Sequence, residues 1–209
     1  MNVAIVLRRR STPNLFRDLI IDTLGSGLGN STLLCSGFFQ ENFRNSFYRA
    51  SQEGNLIANL VHNHIDITTV GLHNFTWQNS YKNFCMNLRS AGVNISAKVV
   101  SSYSWHAKIF ILFKNKVPFF GIIGSSNITS KAFGITPKFN YECDVALWDD
   151  NIASISPIVK SAIERQSDPH QILITEYRPQ ENNYISISDR LLNLEKEILS
   201  IKNIKDLVY

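Results

Sequence analysis

The sequence has few cysteines and no long apolar segment. Its three cysteines lie far apart, and neither a CxxC pair nor a zinc-ligand spacing occurs, which argues against a disulfide framework or a zinc site. No run approaches the roughly 20 apolar residues of a membrane-spanning helix, and residues 1–7 are too short for a signal peptide. We therefore expect a cytoplasmic protein without a membrane partner, in which Cys35, Cys85 and Cys143 are buried thiols.

The composition fits one globular domain with a basic surface. The chain has 209 residues, 44% of them hydrophobic, which suffices for one well-packed domain. Its formal net charge of +4 suits a phosphate-rich partner such as nucleic acid. Candidate contacts to a phosphate backbone are Arg8, Arg9, Arg10, Lys131 and Lys138, and ordinary solvated charge explains each of them at least as well.

The chain alternates between strand and helix patterns. Strands are predicted over 3–7, 31–39, 65–71, 93–100, 105–113, 117–123, 141–148 and 172–177. Helices are predicted over 12–24, with Thr12-Pro13 as cap and first turn, and over 41–50, 80–91, 151–166 and from 188 onward. This alternation, followed by a hairpin, predicts an α/β fold in which a mixed β-sheet is flanked by helices on both faces.

Residues 105–113 carry the first candidate catalytic groups. Alternation along this β-branched and aromatic run places His106 and Lys108 on one face of a strand, about 6 to 7 Å apart. A neutral imidazole can attack phosphorus and form a phosphohistidine. An ammonium can balance the charge on the non-bridging oxygens of a phosphodiester. The pair therefore points to phosphodiester chemistry, with no metal ion or cofactor required.

A hairpin brings a second motif to this strand. With the polar turn centred on Asn115, the returning strand places Ile122 opposite Lys108 and Gly124 opposite His106. The pairing thus delivers the Gly-Ser-Ser-Asn sequence that begins at Gly124 to the imidazole.

The Gly-Ser-Ser-Asn sequence offers neutral contacts for a phosphate. Gly124 lets the backbone approach a phosphate closely. The hydroxyls of Ser125 and Ser126 and the amide of Asn127 add donors. The other histidines, at 62, 64, 73 and 170, are interpreted as structural or exposed rather than as metal ligands.

Together, His106-Ala107-Lys108 and the Gly-Ser-Ser-Asn sequence resemble the motif of the phospholipase D superfamily. The resemblance implies a nucleophilic His106, a phosphate held by Lys108 and Asn127, and Ser125 in the same loop. The acid that usually completes this motif would fall near Phe113, and none occurs between Lys108 and Asn127. This departure disfavours the lipase and synthase members.

A downstream carboxylate is the candidate replacement for the missing acid. Alternation over residues 141–148 places Glu142 and Asp144 opposite an apolar face. The sequence here is similar to the metal-independent restriction endonucleases of the BfiI and NgoFVII type, which implies that Glu142 hydrogen-bonds the imidazole and stabilises its charged form. Asp144 is the rival for that task, and a solvated strand face is the remaining alternative.

One His-x-Lys set is present, whereas the reaction needs both a nucleophile and a general acid. The resemblance implies a homodimer with one composite active site, in which each subunit contributes His106. The expected function is an endonuclease acting on double-stranded DNA, the catalytic domain of a type II restriction enzyme. The alternatives are a phosphatidyl or other phosphodiester transferase and a catalytically silent DNA-binding module.

The domain organisation follows from a change in character near residue 178. Residues 1–177 are assigned to the catalytic domain. Residues 178–209 are predicted to be a polar linker and an amphipathic helix. One interpretation is that they lead to a DNA-recognition domain absent from this chain.

Overall fold

A computed structural model describes residues 2–72, 75–101, 106–166 and 168–208. Nine strands are found in these residues: β1 (Val3–Arg8), β2 (Ser31–Ser36), β3 (Asp66–Leu72), β4 (Ile95–Val100), β5 (Lys108–Lys114), β6 (Val117–Gly124), β7 (Glu142–Trp148), β8 (Ile172–Thr175) and β9 (Ile204–Asp206). Five α-helices accompany them: α1 (Leu15–Gly25), α2 (Leu56–His62), α3 (Gln78–Ser90), α4 (Ser156–Glu164) and α5 (Ile187–Leu199).

The described strands form one mixed sheet in the order β8-β1-β7-β6-β5-β2-β3-β4-β9. β2, β3 and β4 are parallel neighbours, joined through helices, as parallel strands require. β5, β6 and β7 pair antiparallel in the middle of the sheet. Strand β1, near the start of the sequence, pairs with β7, and β9, near its end, pairs with β4.

Apolar side chains cover both faces of the sheet. The larger cluster packs α1 to α4 against one face, through residues such as Leu19, Phe84 and Phe110. The smaller cluster packs α5 against the opposite face, through Leu191 and Ile111. Burial of this kind is the main favourable term in folding. The predicted α/β architecture, a mixed sheet with helices on both faces, is confirmed.

Two helix predictions need correction. Helix α1 is capped by Asn14, whose side chain accepts from the backbone N–H of Arg17, and not by Thr12. No α-helix occupies residues 41–50; a 3₁₀ segment at Ala50–Asn55 leads into α2 instead. The side chain of Glu41 is fully buried and accepts from the N–H and hydroxyl of Ser51, a contact that fixes an irregular loop in place of a helix.

The hairpin between β5 and β6 has a different register from the predicted one. Its turn residues Asn115 and Lys116 both have positive φ, and a bulge follows at Leu112/Phe113. As a result Gly124, and not Ile122, pairs with Lys108. The shift is two residues, so the face assigned to each side chain does not change.

Other expectations for buried and membrane segments can be compared with the structure. Cys35 and Cys85 are buried. Cys143 is exposed, because it lies on the face of β7 opposite α1 to α4, near the start of the strand and outside the cluster that α5 forms there. Among the described helices, none is both long and apolar enough to cross a bilayer. His73 lies outside the described residues, whereas His62, His64 and His170 are exposed.

Candidate active site

The candidate residues meet at one edge of the central sheet, the edge formed by the ends of its middle strands. There β6 ends at Gly124, while its antiparallel neighbours β5 and β7 begin at Lys108 and Glu142. Strand β2 ends at the same edge with Ser36, and β1 ends there with Arg8. The sheet therefore brings together side chains that are distant in sequence.

Lys108 begins β5 at this edge, and His106 lies two residues before it. Lys108 is 8% exposed, and its Nζ donates to the carbonyl oxygen of His106 at 2.5 Å. Burial lowers the pKa of Lys108, and the nearby carboxylates of Glu142 and Asp144 act in the opposite direction. His106 is exposed and precedes β5, so it is not part of the strand as predicted; Trp105, predicted to begin that strand, lies outside the described residues.

Asp144 anchors the Gly-Ser-Ser-Asn loop. It is 1% exposed and accepts from the N–H of Ser126 at 3.2 Å and from the Ser126 hydroxyl at 2.6 Å. Ser126 is itself fully buried, so it cannot contact a substrate as predicted from its place in the motif. Asp144 and Glu142 share one face of β7, as predicted, but that face is the more buried one.

Gly124 lies against Asp144. A Cβ at this position would come within 2.0 Å of the Asp144 Oδ1 atom and 2.6 Å of the Cys143 carbonyl oxygen. The structure thus gives glycine a packing reason here, in addition to the predicted close approach of a phosphate.

We expect Gly124→Ala to displace the loop that follows it. Overpacking of this kind costs about 1–3 kcal/mol of folding stability. Because Ser125 and Asn127 are displaced with the loop, the variant should also lose most of its activity. Activity assays and urea denaturation measure the two effects. Gly25→Ala is the matched control, since its Cβ would meet only the Asn59 side chain at 3.3 Å. Unchanged activity and stability in Gly124→Ala would refute the packing argument.

Burial also raises the pKa of the Asp144 carboxyl, to about 6. Because this value lies above that of the unfolded chain, the folded state binds the extra proton between about pH 4 and pH 6. The protein therefore loses stability as the pH rises through this window, by up to about 3 kcal/mol for a shift of this size.

Asp144→Asn should remove that pH dependence, since the amide cannot ionise. We expect the difference in free energy of unfolding between variant and wild type to change in the variant's favour from pH 4 to pH 7. Urea denaturation across this range measures it, with Asp66→Asn at the exposed start of β3 as control. Parallel pH profiles for Asp144→Asn and wild type would contradict the assigned pKa.

Glu142 has partners other than the expected imidazole. Its Oε2 accepts from the Ser125 hydroxyl at 2.5 Å, and its Oε1 accepts from the Asn140 amide at 3.1 Å. The Ser125 hydroxyl in turn accepts from the N–H of Cys143 at 3.0 Å. Among the described residues no hydrogen bond joins Glu142 to His106. Within one chain, Glu142 therefore positions Ser125.

Asn127 is held by residues that the sequence did not single out. Its Oδ1 accepts from the Ser36 hydroxyl at 3.2 Å and from the N–H of Phe38 at 3.1 Å. Ser36 is buried and also accepts from the N–H of Ile128. No partner for the Nδ2 group of Asn127 is found in the described part of the chain, which leaves this donor available to an anion.

Of the basic residues proposed to contact a phosphate backbone, Arg8 does not fit. Its guanidinium is buried and donates to the backbone carbonyls of Lys131, Ala132, Ser11, Gly134 and Arg10. Burial lowers its pKa, partly offset by Glu142 and Asp144. Arg8 thus fixes the segment after Asn127, whereas Arg9, Arg10, Lys131 and Lys138 are exposed.

Comparison with known families agrees with this arrangement. The family described as "Cardiolipin synthase, PLD-like domain" matches residues 21–157, which include every candidate site residue. The chain belongs to the phospholipase D-like family. Within this phospholipase D-like domain, no three described His, Cys, Asp or Glu side chains lie close enough to share a metal ion. No curated protein matches the chain.

Solved structures similar to this phospholipase D-like chain share little sequence with it. NucT from Helicobacter pylori is 15% identical, with a TM-score of 0.42 over 78% of this chain and 95% of its own. Phosphatidylserine synthase from Haemophilus influenzae Rd KW20 is 12% identical, with a TM-score of 0.48 over 98% and 46%. Polyphosphate kinase from Porphyromonas gingivalis is 12% identical, with a TM-score of 0.43 over 80% and 26%. The chain thus spans less than half of the last two.

Proposed function

We propose that the chain is an endonuclease that hydrolyses DNA phosphodiester bonds, without a metal ion, through a covalent phosphohistidine on His106. One observation carries the proposal. An exposed imidazole, a largely buried ammonium and an amide with a free donor are provided at one edge of the sheet by His106, Lys108 and Asn127. These groups match the nucleophile and the oxyanion donors that phosphodiester transfer needs.

The reaction proceeds in two displacements. In the first, the neutral imidazole of His106 attacks phosphorus, so that a P–N bond forms and the P–O bond to the leaving strand breaks. Lys108 and Asn127 stabilise the charge on the non-bridging oxygens. In the second, the oxygen of a water molecule attacks phosphorus, the P–N bond breaks, and His106 is regenerated.

The two displacements need a proton donor and acceptor opposite His106. We assign both tasks to His106 of the partner subunit, in a homodimer with one composite site. That imidazolium protonates the leaving oxygen and afterwards takes a proton from the attacking water. The exposure of His106 at the sheet edge supports this assignment, since the ring can face a second copy. Light scattering during size exclusion tests the dimer, and an active monomer would contradict it.

A narrower version of the proposal follows from Glu142. Its position on β7, separated from Lys108 on β5 by β6, supports the likeness to metal-independent restriction endonucleases, which act on double-stranded DNA. In this version residues 1–177 carry the catalytic site, α5 and β9 complete the same sheet fold, and a DNA-recognition domain follows. Digestion of a plasmid separates the versions: discrete fragments support a restriction enzyme, whereas a smear supports cleavage without sequence specificity.

A second candidate is phosphatidyl transfer, which the description of the matching family favours. The same His106 and Lys108 would act on a lipid phosphodiester. Incubation in excess EDTA with DNA in one sample and with anionic phospholipid vesicles in another distinguishes the two. Cleavage of DNA that persists under chelation supports the nuclease. Turnover of the lipid without DNA cleavage would replace the proposal by the second candidate.

A further inference from the structure

A cluster of aromatic side chains adjoins the candidate phosphate site. The N–H of Phe38 donates to Asn127, and the Phe38 ring lies 4.9 Å from the ring of Trp77. Trp77 stacks on Phe43 with ring centroids 3.8 Å apart and an interplanar angle of 9°. The guanidinium of Arg44 lies over the Phe43 ring, 5.1 Å from its centroid. This aromatic cluster, formed by Phe38, Trp77 and Phe43, therefore contacts the Asn127 amide proposed to hold the phosphate, through the backbone of Phe38.

Two further phenylalanines, close in sequence to the aromatic cluster, are exposed to solvent. Phe47, in the same loop as Phe43, is 94% exposed, and Phe75, two residues before Trp77, is 92% exposed. Each ring lies within four residues of the aromatic cluster and is free to stack, so we take both as candidate contacts for a ligand with flat apolar faces.

Positive charge lies next to the aromatic cluster. Lys131 and Lys138 line a cavity of about 380 Å³ together with Ser46 and Tyr48, the neighbours of Phe47. Gln40 joins this cavity to the site. Its side chain accepts from the N–H of Ser130 at 2.9 Å and donates to Ser46 at 3.0 Å, and its own N–H donates at 2.8 Å to the carbonyl oxygen of Ile128, the residue after Asn127. Phe47 and the two lysines thus share one surface, which Gln40 links to the residue after Asn127.

We propose that this surface binds a single-stranded segment of DNA, with unpaired bases stacked on Phe47 and Phe75 and the following phosphates near Lys131 and Lys138. Stacking of bases on aromatic rings beside a basic groove is how proteins hold single strands, and it does not require a particular sequence. Paired bases in a duplex do not present their faces to such rings. The proposal rests on the proposed nuclease function and specifies its substrate as single-stranded rather than double-stranded DNA.

Binding is measured with the His106→Ala variant, so that the DNA is not consumed. Fluorescence anisotropy with a labelled oligothymidylate and with a labelled hairpin duplex gives the two dissociation constants. We expect the single strand to bind more tightly, and Phe47→Ala and Phe75→Ala each to weaken its binding by about tenfold. Tyr184→Ala removes an equally exposed ring in the loop before α5 and should leave binding unchanged.

The remaining outcomes overturn the proposal in recognisable ways. The proposal is refuted if the duplex binds more tightly, or if neither phenylalanine substitution changes single-strand binding. Cleavage of duplex DNA in EDTA by the wild type would still support the nuclease function in that case. Loss of binding to anionic phospholipid vesicles on the same substitutions, with no oligonucleotide binding, assigns the rings to a membrane surface. Absence of cleavage and of binding to either DNA rejects both proposals.

Discussion

His106→Ala should abolish DNA cleavage in EDTA, with a loss of at least about 10³-fold. Alanine removes the nucleophile and, in the dimer, also the proton donor. When catalytic groups act as a unit, removal of one of them costs the enzyme nearly all of its activity. The fold should be unaffected, because the His106 side chain is exposed and the structure gives it no hydrogen bond among the described residues. Initial rates on a labelled DNA substrate measure the loss.

The matched control for this substitution is His62→Ala. His62 is an exposed histidine at the end of α2, and none of the site contacts involves it. Its removal should leave the rate within about twofold of wild type. If His106→Ala and His62→Ala retain similar activity, His106 is not the nucleophile.

Lys108→Met should have the second-largest effect, a loss of about 10²–10³ in rate, as for the removal of one oxyanion donor. Methionine has a similar length and suits the largely buried position of Lys108, but it carries no charge. The substitution also removes one of the two cations near Glu142 and Asp144, the other being Arg8. We therefore expect the loss mainly in kcat, since the charge on phosphorus oxygens must be balanced in the transition state.

Lys114→Met tests whether this effect is specific. Lys114 ends the same strand, β5, but is exposed on the opposite edge of the sheet. Its loss should change the rate little, because it lies away from Asn127 and Glu142. Equal losses for Lys108→Met and Lys114→Met would mean that only the overall positive charge matters.

Much of the site could be predicted because it depends on local sequence and strand pairing. The hairpin from β5 to β6 follows from a polar turn between two apolar runs, and it places Lys108 beside Gly124 in the structure. The predicted register is wrong by two residues. One comes from the turn, which is formed by Asn115 and Lys116 rather than centred on Asn115, and the other from the bulge at Leu112/Phe113, which has no clear sequence signal. Since a shift of two keeps each side chain on its face, the positions of Lys108 and Phe110 on one face are unaffected.

The contacts of the carboxylates could not be predicted from alternation. Helices cover both faces of this sheet, so alternation along β7 does not reveal which face is more buried. As a result Cys143 was expected to be buried and is exposed, while Asp144 is buried beneath the loop of Ser126. A buried carboxylate next to a serine-rich loop becomes recognisable only when the fold places the two together.

The contacts of Asn127 and the aromatic cluster also depend on tertiary structure. Ser36 ends a buried apolar strand, and a polar residue at that position is only a weak signal of a contact to the site. Residues 41–50 were expected to be helical, although their aromatic and polar residues instead pack against Trp77 and Ser80. Propensity gave no indication of these long-range partners.

The stereochemistry of cleavage at phosphorus tests the central claim most directly. A DNA substrate whose phosphorothioate linkages have a single configuration is cleaved in ¹⁸O-labelled water, and the configuration of the product is then determined. Each in-line displacement inverts phosphorus, so attack by His106 followed by attack by water predicts net retention. Net inversion would show that water attacks the DNA directly, and it would contradict a covalent phosphohistidine on His106.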